Sequence, residues 1–240
     1  PTLSRVRCGR LQRTIAARRL GRITGGGLFA ESQKTGTEGD AVESGVVGCD
    51  SVQNAVHRGR LFWLWGDTTL AKYPLGIFDG TSATTAVQPL SSFEPPVRLK
   101  FAYFTDDRGR PRGIAKMPGP GPTWVTGYVS LPDKTGTPRL VGSYTKVRGM
   151  LEAYEWGLCV WNDDTGNFEQ LRVIWTKSDS SPKSPPVPEG HPVQWVDSQG
   201  REWVLFGNPL PQLRCPATFE AWQDAATWEV LKPQETIPAA

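Results

Sequence analysis

The residues best equipped for chemistry in this chain are carboxylates set beside aromatic rings. Asp50 stands at the head of an extended run, Gly48-Cys49-Asp50-Ser51-Val52-Gln53. Glu152 and Glu155 lie in Met150-Leu151-Glu152-Ala153-Tyr154-Glu155-Trp156-Gly157, where Tyr154 and Trp156 can strip water from a carboxyl group and raise its pKa. A pair in which one carboxyl keeps its proton while the other is ionised can do general acid–base or nucleophilic work. Asp50 is therefore the candidate base or nucleophile, and Glu155 or Glu152 the candidate acid. Asp67 and Asp79 are secondary candidates, with Asp67 expected to bond turn amides at the end of its strand. His191, between Gly190 and Pro192, is the second polar residue of interest, whereas His57 sits beside Arg58 in a turn and is expected in solvent. Other catalytic patterns are missing. Gly25-Gly26-Gly27 lacks the Lys-Ser/Thr of a phosphate loop, and there is no nucleophile elbow or paired-histidine zinc motif. Cys8, Cys49, Cys159 and Cys215 lack metal-ligand spacing, and Cys159 and Cys215 read as strand-packing residues.

The elements that must position these groups form a repeat. Gly59-Arg60-Leu61-Phe62-Trp63-Leu64-Trp65-Gly66-Asp67 is echoed by Gly200-Arg201-Glu202-Trp203-Val204-Leu205-Phe206-Gly207-Asn208. A weaker copy is Pro138-Arg139-Leu140-Val141-Gly142-Ser143-Tyr144-Thr145. Each copy follows another extended run: Val52–Val56, Val193–Val196 and Trp124–Leu131. Aligning the first copy on the last places Asp50 on His191 and Gln53 on Gln194. A second half-unit also recurs. Gly157–Trp161 leads through an Asp-containing turn to Asn167–Leu171, and Leu213–Ala217 leads to Thr227–Leu231, with Leu75–Asp79 a poor counterpart in the first unit. One unit thus reads as four antiparallel strands, a propeller blade that hides one apolar face against the next. The fold class expected is all-β, a β-propeller of four-stranded antiparallel blades at about 45–115, 120–180 and 186–235. Three blades do not close a ring. Either 23–45 and 88–115 add strands, or the chain is a fragment. The proline-rich stretch 180–190 reads as a connection between blades or a domain linker. Helix is expected only at 8–20 and as one turn at 221–226.

Composition sets the outer bounds. The 240 residues include 26 Gly, 21 Pro and 10 Trp, which suits short strands joined by tight turns. The net charge of +3 conceals an asymmetry. Residues 1–30 carry seven Arg and no acid, a basic arm or transit-like segment, while the rest has 20 basic against 24 acidic side chains. An acidic body argues against a nucleic-acid backbone as the partner. No apolar window is long enough to span a membrane, and no apolar signal-peptide core is visible. Oligomeric state is not legible.

With the repeat assembled, a family resemblance emerges. Cys49-Asp50 followed by Gly59-Arg60-Leu61-Phe62-Trp63-Leu64-Trp65-Gly66 resembles the opening blade of five-bladed propeller glycoside hydrolases of the arabinanase, xylosidase and levansucrase type. Gly157-Leu158-Cys159-Val160-Trp161 with Phe168-Glu169 is similar to their later blades. Leu64-Trp65-Gly66-Asp67-Thr68 also resembles bacterial propeller families with a Phe-Gly-Asp-Thr element. Asp50-Ser51 stands where the family usually has Asp-Pro. The resemblance covers about 45–235 and implies a five-bladed propeller, incomplete here, that acts on an oligo- or polysaccharide through paired carboxylates, with a mid-chain acid glutamate. It implies that His191 orients substrate or holds a channel cation such as calcium, with no other cofactor. Gln194, Arg214 and Asp67 become candidates for binding sugar hydroxyls, and Trp124, Trp156 and Trp195 for stacking on a sugar ring. The implied location is secreted or periplasmic. The alternative is a glycan-binding or scaffold propeller without catalysis.

Overall fold

The strand registers of this protein are set by its turns. The structure, a computed structural model, describes residues 44–93 and 99–231. Their strands form four antiparallel sheets. β1 (Val46–Cys49), β4 (Thr68–Leu70) and β5 (Gly76–Ile77) make a three-stranded sheet. The first four-stranded sheet holds β2 (Val52–His57), β3 (Arg60–Trp65), β6 (Thr81–Ala86) and β7 (Ala102–Tyr103). The second holds β8 (Thr123–Pro132), β9 (Pro138–Arg148), β10 (Glu152–Asn162) and β11 (Asn167–Thr176). The third holds β12 (Val193–Val196), β13 (Glu202–Gly207), β14 (Pro211–Pro216) and β15 (Glu229–Val230). In all three four-stranded sheets the strands lie side by side in chain order. The fold is all-β, and the three sequence copies are the second strands β3, β9 and β13.

The turn chemistry is local. Arg58 and Gly59 both take positive φ (47° and 73°), giving the two-residue hairpin whose twist matches the flanking strands β2 and β3. A longer turn, Asp-x-x-Gly-x, appears three times, at 106–110, 133–137 and 197–201. In each, the Asp Oδ1 accepts the amides two and four residues on, at 2.9–3.0 Å. The glycine amide donates to the Asp carbonyl. Gly109, Gly136 and Gly200 have φ between 72° and 80°, a backbone region that a side chain would strain.

The second sheet is covered on both faces. On one side Phe62 and Leu64 of the first sheet meet Tyr128, Leu140, Tyr144 and Cys159. On the other, Val129, Val141 and Leu158 meet Val204, Phe206, Leu213 and Cys215. Burial on both faces explains why β9 is an almost unbroken run of buried residues instead of an alternation. The strand β2 runs beside β8 in the same direction. Gln53 Nε2 donates to Thr126 Oγ1 (3.1 Å) and His57 Nδ1 bonds Ser130 Oγ (2.9 Å), both pairs 73 residues apart.

Several expectations need correction. Leu75–Asp79 is not the third strand of the first sheet. Gly76–Ile77 belongs to the three-stranded sheet, and Thr81–Ala86 takes the place in the meander. The stretch 88–115 supplies the fourth strand, β7. His57 is not in solvent: its side chain is about 1% exposed, edge-on to Phe62, because β2 continues through it and turns it toward the second sheet. The helix lies at α1 (Phe219–Gln223), capped by Thr218, followed by a short 3-10 turn at Ala225–Thr227. The expected 1–30 arm, the 8–20 helix and Cys8 fall outside the described residues. Among the described residues Cys49, Cys159 and Cys215 are free thiols, and no helix is long and apolar enough to cross a membrane.

Leu158 has no solvent exposure and packs in the second core. Leu158→Ala should lower stability by about 2–5 kcal/mol in chemical denaturation. Burial holds His57 below its ordinary pKa of 6.5, against the opposing pull of Asp163. The unfolded chain therefore takes up this proton first. The contribution of His57 is complete above pH 6.5 and is lost as pH falls from there through the lowered folded value. Between pH 7.5 and 5.5, wild type should lose more stability than His57→Gln in parallel denaturation curves.

Candidate functional site

A cavity of about 470 Å³ opens where the three four-stranded sheets meet. Its floor is the turn between β1 and β2 and the end of β3. The Asp50 amide donates to the Asp67 carbonyl (2.8 Å), and the Gly66 amide returns to the Asp50 carbonyl (2.9 Å). These bonds fix the two aspartates side by side at the rim. Ser51 takes φ +44°, and its amide donates to Asp50 Oδ1 at 2.6 Å.

The second sheet supplies Trp124 from β8 and Trp156 from β10. The Trp124 indole is held by donation to the Phe78 carbonyl (2.9 Å). Trp156 and Glu155 are neighbours on one strand and so point to opposite faces. Trp156 pairs with Thr145, also in the cavity wall. Glu155 accepts the Tyr144 hydroxyl (2.8 Å) on the far side.

The third wall is the loop before β12. Glu189, Gly190 and His191 reach the cavity there. The Gly190 amide donates to Thr126 Oγ1 (2.8 Å), and the Gly127 amide donates to the Gly190 carbonyl (3.0 Å). Gly127 has φ +65°, and a Cβ there would lie 2.1 Å from the Pro188 carbonyl oxygen, so glycine is required.

The electrostatics are one-signed. Asp50, Asp67 and Glu189 line the cavity, and among the described residues no Lys or Arg does. Asp67 Oδ1 is shielded from solvent and makes no hydrogen bond to any of the described residues. Burial, followed by the negative charge of Asp50, pushes the Asp67 carboxyl above its ordinary pKa, and the Trp124 indole opposes the shift. Burial also raises Glu189.

The structure thus brings Asp50, Asp67, His191, Trp124 and Trp156 to one place. It does not bring the other sequence candidates there. Glu152 is exposed, paired with Lys177 and with Arg148, and the Lys177 ammonium pulls its carboxyl down, the reverse of what an acid needs. Gln194 and Trp195 lie on the exposed edge strand β12. Arg214 stacks on Trp203 (4.2 Å) and pairs with Glu229 (2.6 Å) in a separate groove of the third sheet. Asp79 is structural, accepting the Thr123 amide (2.8 Å). Asp67 departs from the expectation that it bonds turn amides. Sequence reasoning passed over Glu189, whose one signal was its place two residues before His191. It also passed over Thr126, whose partners are all distant in sequence. Among the described residues no group of three His, Cys, Asp or Glu side chains is placed to hold a metal ion. No protein-family model matches the chain, and no curated protein matches it.

Asp67 yields a stability prediction whose sign follows from its raised pKa. The folded state favours the protonated carboxyl, so the contribution of Asp67 is present at low pH and lost as pH rises through the raised value. At pH 7, above the ordinary carboxylate range, this preference for the proton counts against the fold. Asp67→Asn should therefore raise the melting temperature at pH 7, by an increment that vanishes below pH 3.8, measured by calorimetry across that range.

Proposed function

We propose that this chain is a carbohydrate-active β-propeller that takes a glycan into the cavity and cleaves a glycosidic bond with Asp50 and Asp67. The propeller reading is supported by three meanders in succession, a middle sheet covered on both faces, and first strands β2 and β8 running in parallel. In such an architecture the first strands line a central hollow and their leading residues share one mouth. The five-bladed glycoside hydrolase resemblance accounts for the position of Asp50. A polymeric glycan as partner would place the protein outside the cytoplasm, secreted or periplasmic.

One observation carries the chemistry. Asp67 is a carboxyl with a buried, unpartnered oxygen, beside a second carboxylate and among indole rings. Glycoside hydrolysis uses one carboxylic acid to protonate the leaving oxygen and one carboxylate to drive attack at the anomeric carbon, directly or through water. Asp67 suits the first role because its surroundings favour the proton. Asp50 suits the second because it is exposed and the Ser51 amide bonds its oxygen. Trp124 and Trp156 offer flat apolar faces to a sugar ring, while Gln53, Thr145 and Asn208 offer polar groups to its hydroxyls.

The test is turnover of a panel of aryl glycosides and oligosaccharides by wild type, Asp50→Asn and Asp67→Asn. Each variant should lose about 10²–10⁴-fold in kcat while remaining folded. Undiminished turnover in both variants would remove the aspartates from the chemistry. Binding of saccharides without turnover by wild type would reduce the protein to a glycan-binding propeller.

A further inference from the structure

We infer that the cavity selects an aminated sugar, a glucosamine-type residue carrying a free ammonium group, and that Glu189 receives that group. This rests on the reading of the cavity as a glycan site and specifies its substrate class.

Among the described residues the cavity wall carries three carboxylates and no Lys or Arg. Asp50 and Asp67 are accounted for by each other and by the chemistry assigned to them. Glu189 is not. It is half-buried, comes from the opposite wall, and has no hydrogen bond or ion pair with any described residue. Three loop carboxylates elsewhere in this protein have a cationic partner: Asp106 with Arg110, Asp163 with Arg58, Asp197 with Arg201. A desolvated carboxylate without a counter-charge is costly, and a bound cation removes that cost.

The chemistry of the walls narrows the cation. Among the described residues no set of three His, Cys, Asp or Glu side chains converges on the cavity as a metal cage would require of side chains alone. An ammonium needs no such cage. It donates three hydrogen bonds and is attracted to indole faces, which Trp124 and Trp156 provide. A sugar ring bearing an amine satisfies both features at once, its carbon face on an indole and its nitrogen on Glu189. A neutral or N-acetylated sugar leaves Glu189 uncompensated, and a uronic acid brings a further carboxylate to an acidic wall.

The experiment measures binding of three tetrasaccharides to the full chain by calorimetry: a glucosamine oligomer, its N-acetylated counterpart and an oligogalacturonate. In wild type the amine oligomer should bind at least about tenfold tighter than the acetylated one, as expected for one added hydrogen-bonded charge pair. The uronate should show no binding. Raising the salt concentration should weaken only the amine oligomer. Glu189→Gln should erase the preference, and Glu189→Asp should keep part of it, with folding of both checked by circular dichroism. Equal or tighter binding of the acetylated oligomer by wild type, or a preference unchanged in folded Glu189→Gln, overturns the inference and leaves the glycan reading standing. Binding of none of the three saccharides overturns both.

Discussion

The site depends on a short polar seam that ties the three large sheets together where their first strands begin. Gln53 uses both ends of its carboxamide. Its nitrogen donates to Thr126 Oγ1, and its oxygen accepts the Tyr128 amide (3.2 Å). The register of β8 slips between Thr126 and Val129, and Gln53 serves the Tyr128 amide within that slip. Thr126 Oγ1 also receives the Gly190 amide, while Ser143 donates to the Pro188 carbonyl (2.6 Å) on the same loop. Leaving any one of these buried groups unpaired would cost about 1–3 kcal/mol. The seam therefore sets the spacing of Gln53, Thr126 and Gly190, the near neighbours of Asp50, Trp124 and Glu189 in the cavity wall.

Much of this was legible in the chain because it is local. Arg58-Gly59 and the Asp-x-x-Gly turns specify their own geometry, so the extended runs between them could be found and aligned, and the three copies proved to be equivalent second strands. The alignment of Asp50 with His191 brought both to one cavity. What the sequence withheld is long-range. His57 looks like a turn residue beside Arg58, and the Ser130 that receives it lies 73 residues away. Glu155 and Trp156 form a plausible acid site as text, yet a strand sends them to opposite faces, and only packing of the second sheet against both neighbours decides which face meets the cavity. Glu189 follows a proline-rich stretch whose path depends on contacts of Gly127 and Ser143, with no periodicity of its own to read. The four-residue interval between Arg148 and Glu152 and the cross-strand Lys177 likewise turn a promising acid into one member of a surface ion cluster.

Two ionisable groups with solvent-shielded polar atoms show how this fold separates structure from function. Lys146 is about 1% exposed, and burial lowers its pKa. Its ammonium nonetheless meets the Gly121 carbonyl (2.7 Å), Thr123 Oγ1 (3.2 Å) and the Met117 carbonyl (3.3 Å), one acceptor for each proton. It pins the 117–123 loop to β9 and has no donor left for a ligand. Asp67 is the opposite case. The chain sets it among indoles and another carboxylate, and among the described residues no donor reaches its Oδ1. A fold that completes the bonding of a deeply buried lysine has the means to cap an aspartate at a turn, since it caps three others with their own backbone amides. Asp67 stands outside that pattern, and sites where a chain breaks its own local rules are where function is expected to reside. The carboxyl that the fold leaves unsatisfied is the one a substrate can satisfy.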